Sequence, residues 1–174
     1  MAIDVIVNDT SCLIDLRKGG ILTTALLLPF RFVVALPLVA AELNDFDETD
    51  WEDLCGRGLE IVDLDGAQVQ CAMRLKSQFP GLSVYGCFSL AIVQTTPNSM
   101  LLTGDRLHRT SAVEVGVKVH GVLWVSDQIE QARLISFADL ADALERLDAD
   151  PLVFLPDDEI TKRIARLRKK SKGR

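Results

Sequence analysis

Short apolar runs alternate along this chain with segments whose apolar positions recur every three or four residues, and Gly, Pro, Ser or Asp punctuates nearly every change of pattern. Ile3–Asn8 is rich in β-branched residues and apolar on both faces, which predicts a central parallel strand. Asp9-Thr10-Ser11 then offers N-cap chemistry for a helix through Leu16, and Gly19-Gly20 ends it. Arg31–Leu36 predicts a second strand, and Pro37 opens a helix containing Glu42. The acidic run Asp45–Asp53 reads as a solvated helix-to-helix region. Leu59–Leu64 predicts a third strand, followed by a helix over Ala67–Gln78 and a second, capped by Ser83, over Val84–Gln94. Pro97-Asn98-Ser99 turns into the strand Met100–Thr103. A helix over Arg106–Val115, a short strand at Lys118–Val119 and helices over Trp124–Ala132 and Phe137–Leu147 complete the body. Asp157-Asp158-Glu159 begins a terminal helix whose first-turn acids suit its dipole. Strands alternating with helices indicate an α/β fold, a parallel sheet covered by helices on both faces.

Composition refines this picture. The 174 residues are 48% hydrophobic, with a mean hydropathy of +0.21, enough for one domain with a substantial core. The nearly apolar stretch Ile21–Leu43 raises the question of a membrane span, but Arg31 lies inside it and Pro29 and Pro37 cut it into pieces too short to cross. No basic leader precedes Asp4 and Asp9, so no signal peptide is expected and the expected location is cytoplasmic. Cys12, Cys55, Cys71 and Cys87 show no C-x-x-C spacing, which predicts reduced, mostly buried thiols. His108 and His120 stand in no ligand-like spacing with them, so zinc is not expected.

Charge is distributed unevenly. Residues 162–174 hold eight of the 19 Lys and Arg and no acid. The other 11 bases face all 25 acids, so the body carries −14 and the tail +8. Such an arm suits RNA phosphates, the body's own acids or a partner protein. Ile160, Ile164 and Leu167, at i, i+4 and i+7, favour packing on the body or on a second subunit.

Three carboxylates stand at the ends of apolar segments: Asp9 after the first strand, Glu42 past Pro37–Ala41, and Asp105 closing Met100–Gly104. Oxygen ligands at the carboxyl ends of parallel strands suit Mg²⁺ or Mn²⁺. Thr10, Ser11 and Thr103 are hydroxyls beside these acids and candidate supports for them. Asp15 reads as a surface or capping group, Arg106 as a phosphate contact or a salt-bridge partner, and Trp51 and Trp124 as packing residues.

The segments Asn8–Leu16, Pro37–Leu43, Leu82–Val93 and Leu101–Leu107, in that order, resemble the four acidic motifs of the PIN-domain family of ribonucleases, many of them toxins of toxin–antitoxin pairs. The resemblance spans roughly residues 3–125 and implies a three-layer sandwich in residues 1–156, with residues 157–174 as a basic helix or tail. It implies further that Asp9 and Asp105 hold Mg²⁺ or Mn²⁺, that Glu42 helps, and that the substrate is RNA, with an antitoxin protein and a second copy as partners and no membrane. Gly86 departs from the pattern, because the family carries aspartate there as a third direct ligand. Glycine offers no donor, and losing a direct ligand should weaken metal binding beyond the ~10–100-fold that outer-shell changes cause. The expectation is therefore a metal-dependent ribonuclease of impaired activity, with a catalytically inactive binding or interaction module as the alternative.

Overall fold

Val5, Ile6, Val7 and Asn8 are all buried and form β1 (Val5–Asn8), the middle strand of a five-stranded sheet. The computed structural model describes residues 4–41 and 46–173. All strand pairings are parallel, in the order β3-β2-β1-β4-β5, with β2 at Arg31–Ala35, β3 at Leu59–Val62, β4 at Ser99–Leu102 and β5 at Val119–His120. The chain moves outward on one side of β1 to β2 and β3, then returns to its other side for β4 and β5. The order therefore reverses between β1 and β4, and the carboxyl ends of strands at such a reversal are where parallel α/β sheets place a ligand crevice.

The apolar run predicted as helix, turn, strand and helix start resolves into α2 (Leu22–Ala25), β2 and α3 (Leu36–Ala41). α1 (Thr10–Lys18) ends where Gly20 takes a left-handed φ of +68°, letting the Ile21 N–H turn back to the Leu16 carbonyl at 3.0 Å. α5 (Gly66–Gln78) and α6 (Val84–Thr95) pair with each other, and α6 lies on β1, β2 and β4. α7 (Arg106–Glu114) joins β4 to β5, and α8 (Val122–Ala132), α9 (Phe137–Ala149) and α10 (Asp157–Lys172) follow. α1, α2, α8, α9 and α10 form a second helical group, so helices cover the sheet on both faces.

Two expectations need adjustment. The described part of the acidic run is not simply solvated: Asp47 and Asp50 build a reciprocal capping box that starts α4 (Glu48–Gly56). Buried Leu54 and the stacked rings of Phe46 and Trp51, 5.1 Å apart, anchor that helix. The last strand also lies one residue later than predicted, and α8 begins two residues earlier, with Gly121 as its N-cap.

The basic segment is a packed helix. Ile160 and Leu167 are buried, and Ile164 packs against the core. Arg163 and Arg166 pair with Asp127, Arg166 and Lys170 with Glu130, and Arg168 with Asp142 and Glu145. Much of the tail's charge thus meets the acids of α8 and α9. The four cysteines are free thiols, with Cys12, Cys71 and Cys87 buried and Cys55 exposed. No helix among the described residues is long and apolar enough to cross a membrane.

Candidate active site

The crevice between β1 and β4 is built by two strand ends that each turn directly into a helix. Asp9 follows β1 in extended conformation (φ −87°, ψ 154°) and caps α1, its Oδ1 accepting the Thr10 N–H at 3.0 Å. Its own N–H donates to the Leu102 carbonyl at 2.9 Å, which ties the ends of β1 and β4 together. Asp105 follows β4 and caps α7, its Oδ1 accepting the His108 N–H at 2.6 Å. Capping explains why an acid stands at each strand end, since both helices would otherwise start with unpaired N–H groups.

Thr103 links the two acids. Its buried hydroxyl donates to Asp9 Oδ2 at 2.8 Å and accepts the Asp105 N–H at 3.1 Å. Ser11 makes a second link: its hydroxyl donates to Asp9 Oδ2 at 3.3 Å and accepts the Gly104 N–H at 3.0 Å. The third contact to Asp9 Oδ2 is His108 Nδ1 at 3.1 Å. A carboxylate only accepts, so Nδ1 carries the proton. The opposite ring nitrogen, Nε2, is buried and has no hydrogen-bond partner among the described residues.

Asp9 is only 7% exposed. Burial pushes its carboxyl upward, but the hydrogen bond and charge of His108, with the bonds from Thr103 and Thr10, outweigh burial and hold it below its ordinary value. A carboxylate rather than a carboxylic acid therefore occupies the crevice at neutral pH. The nearby Cys12 thiol is held well above its usual range by burial and by the charges of Asp9 and Asp15, so it is not a nucleophile.

Asp9 and Asp105 thus lie on the same edge of the sheet and share Thr103. Ser11 and Thr103 touch the Asp9 carboxylate through their hydroxyls, and Thr10 does so through its backbone N–H. Glu42 lies outside the described residues. Gly86 is the third residue of α6, buried, its N–H held by the Ser83 hydroxyl at 2.9 Å. A Cβ there would lie 3.1 Å from Leu82 Cδ1 and 3.3 Å from Ser83 Oγ, so a side chain enters only if Leu82 shifts.

Two residues emerge that the sequence did not single out for the site. His108 lies one helical turn after Asp105, a spacing that brings its buried ring against Asp9. Asp15 shares a face of α1 with Ser11 and Lys18, at i, i+4 and i+7, which could have marked it. Its carboxyl is pushed up to about 6 by burial, with Lys18 opposing and Asp150 adding to the shift.

A PIN-domain family model matches residues 5–169, nearly the whole chain and most of α10. The chain belongs to the PIN-domain family. No curated protein matches it. PIN domains generally use divalent metal ions, so the donor set can be tested against one. The oxygen donors suit Mg²⁺ or Mn²⁺ rather than a soft metal. Among the described residues, Asp9 Oδ1 carries one backbone hydrogen bond and Asp105 Oδ2 carries none, which leaves lone pairs for a cation. Among the described residues, however, no three His, Cys, Asp or Glu side chains converge as a metal cluster. This PIN domain therefore fits such an ion in part, through two carboxylates.

Proposed function

We propose that this PIN domain is a metal-dependent endoribonuclease whose cleavage is weakened by Gly86. The observation that carries the reading is the Asp9–Thr103–Asp105 bridge at the point where the strand order reverses. Asp9 and Asp105 would hold Mg²⁺ or Mn²⁺, with Glu42 as a third acid. Such an ion, when bound, polarises a phosphoryl oxygen and lowers the pKa of a bound water. The remaining groups position the two acids. Thr103, Ser11 and His108 hold Asp9 Oδ2, fixing the carboxylate so that Oδ1 keeps a free lone pair. Asp105 is held at its backbone by Thr103 and at its carboxylate by the first turn of α7. As the toxin of a toxin–antitoxin pair, the protein would act on cytoplasmic RNA and be restrained by an antitoxin.

A second reading has its own observation. The Asp9 carboxylate is satisfied by four protein donors without any ion, which suits a catalytically inactive RNA-binding or interaction module. Cleavage of single-stranded RNA in Mn²⁺ separates the two. The ribonuclease reading expects slow cleavage by the natural chain, faster cleavage by Gly86→Asp, and none by Asp9→Asn. Cleavage absent from all three would leave the module. An acid at the third residue of α6 would complete a capping box with Ser83, provided that Leu82 gives way to the new Cβ 3.1 Å from its Cδ1.

A further inference from the structure

Beside the paired acids runs a groove of about 410 Å³, bounded by α1, the β4–α7 turn and the loop after α9. Ser11 and Asp105 line it, so it opens onto the candidate active site. Gly104 brings the β4–α7 turn close to α1: a Cβ at that residue would lie 3.4 Å from Ser11 Oγ and 3.6 Å from Asp15 Oδ2, at ordinary contact distance.

Three features of its wall have no role in holding the fold. The half-buried Asp15 carboxylate makes no hydrogen bond among the described residues. Arg106 is exposed and, among the described residues, enters no ion pair, whereas the neighbouring Lys18 is held by Asp150 at 3.2 Å. Phe154 is 83% exposed at the rim. An aromatic face, a guanidinium and an unpaired carboxylate around one groove match the three parts of a nucleotide. A ring stacks a base, a guanidinium forks onto a phosphate, and a carboxylate accepts from N–H donors on a base edge. Guanine alone among the RNA bases presents two adjacent Watson–Crick donors, N1–H and N2–H, to the two oxygens of a carboxylate. Cytosine and adenine set an acceptor beside their donor, and that acceptor would face the carboxylate unfavourably.

We propose that this groove is a guanine-selecting nucleotide subsite, in which Phe154 stacks the base, Asp15 accepts its N1–H and N2–H, and Arg106 holds the adjoining phosphate. The proposal rests on RNA being the substrate, and it supplies a sequence preference that the paired acids alone would not.

The test is fluorescence anisotropy with the full chain and a labelled six-nucleotide single-stranded RNA in EDTA, so that neither metal nor cleavage enters. Binding should be tighter for a guanine-containing RNA than for its inosine counterpart, which lacks the N2 amine. Phe154→Ala should weaken binding roughly tenfold, within the range of one base–aromatic stack. Asp15→Asn should erase the guanine-over-inosine preference, and Met73→Ala, on an exposed face of α5, should change neither. Undetectable RNA binding, or binding indifferent to both groove substitutions, would overturn the subsite. So would preferential occupation of the groove by a basic peptide in competition with the RNA. Metal-free binding separates this outcome from the ribonuclease reading, because binding with these properties would persist if no variant cleaved RNA. Cleavage with groove-independent binding would remove the subsite alone.

Discussion

Asp9 and Glu130 are almost equally buried carboxylates, with side chains 10% and 9% exposed, yet they do opposite things. Glu130, on α8, receives Arg166 and Lys170 of α10, so two full positive charges meet one negative charge. Burial pushes its pKa up, but those bonds and charges more than offset this and hold it low. Asp9, at the sheet edge, receives two hydroxyls, one backbone N–H and an imidazole. Hydroxyls, a backbone N–H and a ring N–H fill its lone pairs, and no lysine or arginine reaches it among the described residues. The helical seam is therefore electrostatically closed, whereas the sheet edge stays open to a cation. Equal burial does not mean equal purpose, and the partners tell the two regions apart.

The largest effect should come from breaking the seam. Leu167→Ala removes a side chain that is 1% exposed between α10 and the body and should cost about 2–5 kcal/mol, read as a lowered denaturation midpoint. A loss under about 1 kcal/mol would mean that α10 rests on its ion pairs rather than on its apolar stripe.

The next largest should come from emptying the edge. Asp9→Ala leaves the Thr103 hydroxyl and His108 Nδ1 buried without their acceptor, at roughly 1–3 kcal/mol for each group left unsatisfied. Stability should fall by urea titration together with any RNA cleavage. If only cleavage fell, these bonds would not matter to the fold.

Asp15 offers a pH-resolved contrast. Its folded pKa of about 6 exceeds the ordinary 3.8, so burial disfavours its charged form. Below pH 3.8 it is protonated in both states and costs nothing. As pH rises from about 4 to 6 the unfolded chain releases its proton first, and stability falls. Asp15→Asn should therefore raise the unfolding free energy at pH 7.5, by no more than about 1 kcal/mol once solvent screening at this half-exposed site is allowed for, read by urea titration. The gain should shrink towards pH 4.5, and an equal gain at both pH values would assign it to packing instead.

The smallest effect belongs to the exposed end of the seam. Arg168→Ala removes pairs to Asp142 and Glu145 that solvent reaches on both sides, so the denaturation midpoint should fall less than with Leu167→Ala or Asp9→Ala. The loss should fade as salt is raised, since screening already weakens these pairs.

The local patterns were legible where one short stretch carried the whole signal. The β-branched run before Asn8 specified β1, Ser83 capped the helix assigned to it, and Asp9 and Asp105 marked the two strand ends beside the reversal of strand order. What escaped depended on residues far apart in the chain. His108 meets Asp9 across 99 positions, and no ligand-like spacing announces a histidine that holds a carboxylate. Asp15 looked like a surface group because the wall that half-buries it comes from the β4–α7 turn and the loop after α9. The basic tail left its partners open until α8 and α9 brought Asp127, Glu130, Asp142 and Glu145 beneath it.

The paired acids are a metal site only if Mn²⁺ binding depends on them, which calorimetric titration into the unsubstituted chain and Gly86→Asp, each with and without Asp9→Asn, measures. Binding should be weak in the unsubstituted chain, at least tenfold tighter with Asp at residue 86, and lost from both when Asp9 is neutralised. Equal Mn²⁺ affinity in all four proteins would contradict that dependence, because neither Asp9 nor residue 86 would then belong to a metal site.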